Sequence, residues 1–199
     1  MASQPAFQFK VTLKDIISPI WRRIQISNQC TFWDLHVAIQ DAMGWTDSHL
    51  HEFTVINIAT GKKEFIGIPD DEGFDDVHPM LAGWDVKVEH YMRIEANQKM
   101  LYLYDFGDSW EHLIEFEGEH EKQFDKYPVC LAGERACPPE DVGGIPGYEN
   151  FISIINTPRH KERKELLEWV GGKYDPEKFD PKKVKFDNPQ TRWRKAFKN

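Results

Sequence analysis

Residues 100–117 carry the strongest local constraint in the chain: two runs of strand-like residues on either side of a Gly-Asp-Ser turn. Met100 to Phe106 is rich in aromatic and aliphatic side chains, and Trp110 to Glu117 alternates apolar with polar, as a half-buried strand does. Gly107 accepts positive φ, and Asp108 and Ser109 bond nearby backbone amides in turns. The spacing predicts a β-hairpin whose tip gathers Asp105, Asp108, Trp110 and His112.

The flanking sequence supplies the rest of an antiparallel sheet. Phe7, Phe9, Val11 and Leu13 alternate with polar residues, and Ile20, Ile24 and Ile26 mark a second strand. Arg22 and Arg23 in that strand read as an exposed edge guarded by charge; pairing with acidic residues or binding an anion are the alternatives. Thr31 and Asp34 form a capping-box variant ahead of the stripe Phe32, Leu35, Ile39 and Ala42 or Met43, and Gly44 stops the helix. His36, beside that stripe, reads as a core or boundary residue. Thr54 to Ile58 and Phe65 to Ile68 are expected strands, and Val86 and Val88 are expected to start another. Asp70 to Asp85, with six acids and no Lys or Arg, reads as a long loop. Tyr127 to Tyr148 holds too much Gly and Pro for a helix or an inner strand and reads as an extended ordered loop. Short helices are expected over Tyr148 to Ile155, His160 to Val170 and Gln190 to Lys198, with start signals at Asp175-Pro176 and Asn188-Pro189. The whole predicts one α+β domain: a mostly antiparallel sheet with an opening β-β-α-β unit, a central hairpin and short C-terminal helices. Its core spans about residues 5–180, and the basic helix over 187–199 is an appendage.

A chain of 199 residues can bury a real core. It has no apolar run near the roughly 20 residues of a membrane span, and no basic start followed by an apolar stretch. Three cysteines without a dense framework fit a reducing, cytoplasmic setting. The net charge is −8; residues 159–199 hold 13 Lys/Arg against 7 Asp/Glu, a net of +6, which leaves −14 before them. An acidic body disfavours duplex DNA. The basic C-terminal helix, with Arg192, Trp193, Arg194 and Lys195, is the one place for weak nucleic-acid contact, although charge runs are more often solvated faces.

Two functional readings follow for the hairpin. In the first it is a binding module: Tyr104, Asp105, Asp108, Trp110, His112, Glu140, Asp141 and Tyr148 line a groove for a protein or peptide, with the three rings as anchors. Exposed rings would support that groove and buried rings would sink it. In the second, Asp105, Asp108 and His112, with His49 and His51, hold a divalent metal, and Glu140 and Asp141 complete a hydrolase site. Beside both stands a structural reading, in which the aspartates accept backbone amides in a tight turn. In it Trp110 fills the core, and His112, on the face of Trp110, Ile114 and Phe116, is a satisfied inner histidine.

The segments Pro19 to Arg23, Leu35-His36, Met43 to Trp45, His49 to Phe53, Tyr104 to His112 and Cys137 to Gly144 together resemble the plasmid ORF-3-like family, named after an open reading frame of a root-inducing plasmid. The resemblance runs from the first strand to Asp175–Phe179 and implies a single α+β domain without a known activity. It also implies an association with mobile elements, since some members are labelled insertion-element passenger or resolvase-like proteins. The residues do not carry a serine recombinase: Ser3 lies at the extreme N-terminus, Ser18 precedes a proline and the body is acidic. Val142 departs from the cysteine common there in the family, so any thiol-based metal site of relatives lacks a ligand here.

Overall fold

The computed structural model describes residues 5–69, 79–92, 98–121 and 123–198. In chain order it runs β1 (Ala6–Leu13), β2 (Trp21–Ser27), α1 (Phe32–Met43), β3 (His51–Ile56), β4 (Lys63–Gly67), β5 (Met80–Ala82), β6 (Lys99–Tyr104), β7 (Trp110–His120), β8 (Val129–Glu134), α2 (Gly144–Ile155), α3 (Arg163–Trp169) and α4 (Pro189–Phe197). The strands form one eight-stranded sheet in the order β5-β4-β3-β6-β7-β1-β2-β8, antiparallel except for the β4–β5 pair. This is the expected α+β architecture, with the β6–β7 hairpin at its centre.

Cross-strand register explains where the core sits. Residues directly opposite one another point to the same face. The row Leu13–His112–Tyr102–Phe53–Ile66 therefore shares one face, and so does the row Trp110–Tyr104–His51. All eight side chains are buried, and α1 is buried beside them. The helix starts where the capping box predicts: Asp34 N donates to Thr31 Oγ1 at 3.1 Å and Thr31 N to Asp34 Oδ2 at 2.8 Å. Gly44 ends it at φ 100, a left-handed conformation that few other residues adopt without strain.

Several sequence expectations are corrected. The Gly/Pro-rich stretch over Tyr127 to Tyr148 is not all loop: it holds β8, and α2 begins at Gly144. As an edge strand β8 tolerates what an inner strand does not. At Gly133 a Cβ would stand 2.5 Å from the Phe179 ring and 2.7 Å from the Trp21 carbonyl, so glycine is there for closeness. β2 lies between β1 and β8 rather than at an edge, and Arg22 is buried. Val86 and Val88 start no strand; Val88–Tyr91 is a single 3₁₀ turn. Of the acidic loop, residues 70–78 fall outside the described set, and Met80–Ala82 is a strand, not loop. Asp175-Pro176 starts no helix. α4 is docked on α1: Trp33 Nε1 donates to the Pro189 carbonyl at 2.9 Å, and Phe197 packs on Trp33 and Trp84.

Candidate functional site

Three loops converge, one of them the β6–β7 turn. The turn itself is built by Asp105, which sits at φ 56 and accepts Gly107 N at 2.9 Å and Asp108 N at 3.3 Å on Oδ1. Asp108 Oδ2 reaches across to the second loop and accepts Gly143 N at 3.0 Å. The approach there is close enough that a Cβ at Gly144 would meet the Asp108 carbonyl at 2.6 Å. That loop, between β8 and α2, presents Glu140 and Asp141. Glu140 Oε1 accepts Thr46 N at 2.7 Å, and the Tyr104 hydroxyl donates to the same carboxylate at 3.1 Å. The third loop, Trp45 to Leu50, is held by Trp45 Nε1 donating to the Pro138 carbonyl at 3.0 Å and Ser48 N donating to the Tyr104 hydroxyl at 3.0 Å.

At the meeting point His49 Nε2 lies 2.9 Å from Asp141 Oδ1 and 3.6 Å from Asp105 Oδ2. Among the described residues these are the only three that bring His, Cys, Asp or Glu ligand atoms together, all within 4.8 Å of one another. The Asp105 side chain is 10 % exposed. Its Oδ1 is satisfied by the turn, whereas no described residue donates a hydrogen bond to Oδ2. The described residues also give Asp105 and Asp141 no lysine or arginine partner; His49 alone faces them.

The other residues singled out from the sequence do not offer ligand atoms to this junction. His112 is wholly buried under the sheet's inner face, with Nδ1 3.3 Å from the Tyr102 carbonyl and Nε2 without a described partner. Burial pushes its imidazole down to about 4. His51 is buried too and stacks on His36, ring centroids 3.5 Å apart, away from the His49 junction carboxylates. Burial, and then the neighbouring His36, hold His51 well below the usual histidine range. Tyr104, Trp110 and Tyr148 are 0 %, 1 % and 6 % exposed, which removes them as anchors of an open groove; Tyr148 instead bonds the Tyr174 hydroxyl at 3.1 Å. Asp108 is engaged with the loop amide. Glu140 stands beside the junction, tied to Tyr104 and Thr46.

A second polar chain was not legible beforehand. Gln40 Nε2 donates to the Tyr102 hydroxyl at 2.9 Å, that hydroxyl meets His36 Nδ1 at 2.8 Å, and His36 Nε2 meets Asp47 Oδ1 at 2.8 Å. A consistent set of directions has Tyr102 donating to Nδ1 and Nε2–H donating to Asp47. Burial lowers His36 despite the pull of Asp47. Asp47 Oδ2 lies 3.6 Å from Arg192 Nη1, so the chain ends at α4. The only sequence signal was an i, i+4 pair, His36 and Gln40, on a face otherwise apolar.

No helix among the described residues is long and apolar enough to cross a membrane. The chain is 36 % identical over 164 residues to an uncharacterized protein, y4hQ, of Sinorhizobium fredii, a match covering 82 % of this chain and 80 % of that one. The crystal structure of a protein of unknown function, MM3350, from Methanosarcina mazei superposes with a TM-score of 0.83 at 39 % identity, over 93 % of this chain and 100 % of the other. The plasmid pRiA4b ORF-3-like protein profile matches residues 5–183, the span holding every strand of the sheet and all three junction loops, and the chain belongs to that family.

Proposed function

We propose that the junction of His49, Asp105 and Asp141 is a divalent-cation site, and that the protein acts as a metal-dependent binding protein. The observation that carries this reading is the Asp105 side chain: nine-tenths buried, with Oδ2 lacking a described donor and aimed at His49 Nε2 and Asp141. A mostly buried carboxylate oxygen that receives no hydrogen bond and sits beside an imidazole and a second carboxylate is a ready ligand for a cation. One imidazole and two carboxylates suit zinc, manganese or iron, and three protein ligands leave coordination positions for an anionic group of a ligand. The acidic body supports a protein or peptide as that ligand over nucleic acid. Cys30, Cys130 and Cys137 are free, which supports a cytoplasmic setting.

The test is calorimetric titration of the untagged full chain with Zn²⁺ and with Mn²⁺. One ion is expected to bind per chain. His49→Ala and Asp105→Asn are expected to weaken binding at least tenfold, as loss of a ligand does. Failure of the wild type to bind either ion, or unchanged affinity in His49→Ala, overturns the reading.

A further inference from the structure

The loop that carries His49 is clamped from two sides. Four consecutive residues each have a separate tie: Trp45 to Pro138, Thr46 to Glu140, Asp47 to His36, and Ser48 to Tyr104. Asp47 is tied to His36 of α1, and its other oxygen faces α4. Arg192 Nη2 meets Asp41 Oδ1 at 2.6 Å and Asp187 Oδ2 at 2.7 Å, while Nη1 stands 3.6 Å from Asp47 Oδ2. Burial opposes the guanidinium's charge, but the bonds to Asp187 and Asp41 outweigh it and hold its pKa above the ordinary value. Asp47 sits at φ 60, a conformation that a non-glycine residue keeps only when its surroundings hold it.

The helix supplying that arginine is weakly held. α4 has nine residues and none of them is buried. A helix this short has little stability of its own and depends on its tertiary anchors. Besides Arg192 these include the Trp33–Pro189 bond, Asp187 N donating to Asp41 Oδ2 at 2.8 Å just before the helix, and the contacts of Trp193 with Trp84 and of Phe197 with Trp84 and Trp33. An open cleft of about 440 Å³, lined in part by Thr46, Asp47, Thr191 and Arg192, runs beside this contact between loop and helix. The family match ends at residue 183, before α4 begins at Pro189.

We propose that α4 is a detachable latch whose docking presets the Trp45–His49 loop, so that helix docking and cation binding at His49, Asp105 and Asp141 favour each other. The proposal rests on the cation reading above and adds its regulation. Arg192 is a positioning residue: it touches Asp47, not the ion. Linkage makes the effect reciprocal, so the ion should tighten the helix by the factor by which the helix tightens the ion.

Two full-length variants test this. Arg192→Met removes the tie to Asp47, and Phe197→Ser loosens the helix at its far end. Both are expected to bind Zn²⁺ between about 5-fold and 50-fold more weakly than the wild type, in the range of ordinary coupling. Hydrogen exchange of the amides over 190–198 is expected to slow on adding Zn²⁺ to the wild type, and to be unaffected in His49→Ala. In metal-free Arg192→Met the amides over 45–49 are expected to exchange faster. Wild-type Zn²⁺ affinity in both variants, with α4 exchange indifferent to the ion, overturns the latch and leaves the cation site standing. Absence of both Zn²⁺ and Mn²⁺ binding in the wild type removes both, and if only Mn²⁺ binds the same measurements are made with Mn²⁺. Unchanged exchange over 45–49 in metal-free Arg192→Met rejects the latch independently of any ion.

Discussion

Acidification from pH 7 to pH 5 is expected to destabilise the fold by about 2 kcal/mol through His112 alone. Burial holds this imidazole down to about 4 in the folded chain. The unfolded chain titrates near the usual value of about 6.5 and so takes up the proton first. Stability from His112 is therefore complete above about pH 6.5 and is lost as pH falls toward about 4. His36, lowered by burial, acts in the same direction. Glu117, which the bond from Arg23 lowers, contributes only further down, below the ordinary carboxylate range. The loss between pH 7 and pH 5 thus comes from the inner histidines, while Asp41, raised by burial, acts in the opposite direction. Urea denaturation midpoints at pH 7, 6 and 5 measure it, and His112→Leu is expected to flatten the dependence by nearly one proton's worth. A midpoint that stays level across this range, or a slope unchanged in His112→Leu, would falsify the assignment.

The same histidine shows what could be read beforehand. Period two places His112 on the face of Trp110, Ile114 and Phe116, and the structure puts it there, buried with all three. A metal ligand at the hairpin tip needs the other face or the turn, where Asp105 lies. The hairpin and α1 were legible because their signals are local: turn chemistry at residues 105–109, a capping box at Thr31, a left-handed glycine at 44. β5 was not, because three residues in an acidic stretch become a strand only through parallel pairing with β4. β8 was hidden by composition; its glycine serves contact with Phe179 and the Trp21 carbonyl, a reason no local pattern displays. Asp105, Asp141 and His49 were recognised as candidates, but their convergence depends on three loops separated by tens of residues. The rings of Tyr104, Trp110 and Tyr148 misled for a related reason: aromatic residues near a turn look like anchors, and only the tertiary structure shows them buried, Tyr104 and Trp110 as a cross-strand pair and Tyr148 on the inner side of α2.

Arg22→Ala is expected to cost about 3–5 kcal/mol, as removal of a buried charged hydrogen-bonding group does. Arg22 is 1 % exposed and, among the described residues, has no carboxylate partner. Its charge is met by oxygens: Nε donates to the Ala42 carbonyl at 2.8 Å, and Nη1 to those of Trp21 at 2.8 Å and Glu134 at 2.9 Å. The guanidinium lies 3.6 Å from the centroid of the Phe179 ring. Burial lowers its pKa, yet a guanidinium stays charged in proteins. Ala42 belongs to the last turn of α1, where carbonyls lack helical partners and the helix dipole is negative, so the cation satisfies both needs. Alanine leaves these carbonyls without their donor and empties the space under Phe179. Lysine is expected to fare little better, because a compact ammonium cannot fork to three carbonyls and lie flat on a ring. Denaturant unfolding of both variants at pH 7 is the measurement, and a loss under about 1 kcal/mol in Arg22→Ala contradicts the argument. Ala42 lies only three residues before Trp45, so the end of α1 and the loop carrying His49 share one anchorage. If His49, Asp105 and Asp141 hold a cation as proposed, a loosened helix end should also weaken Zn²⁺ binding there, linking a buried arginine in β2 to a junction it does not contact.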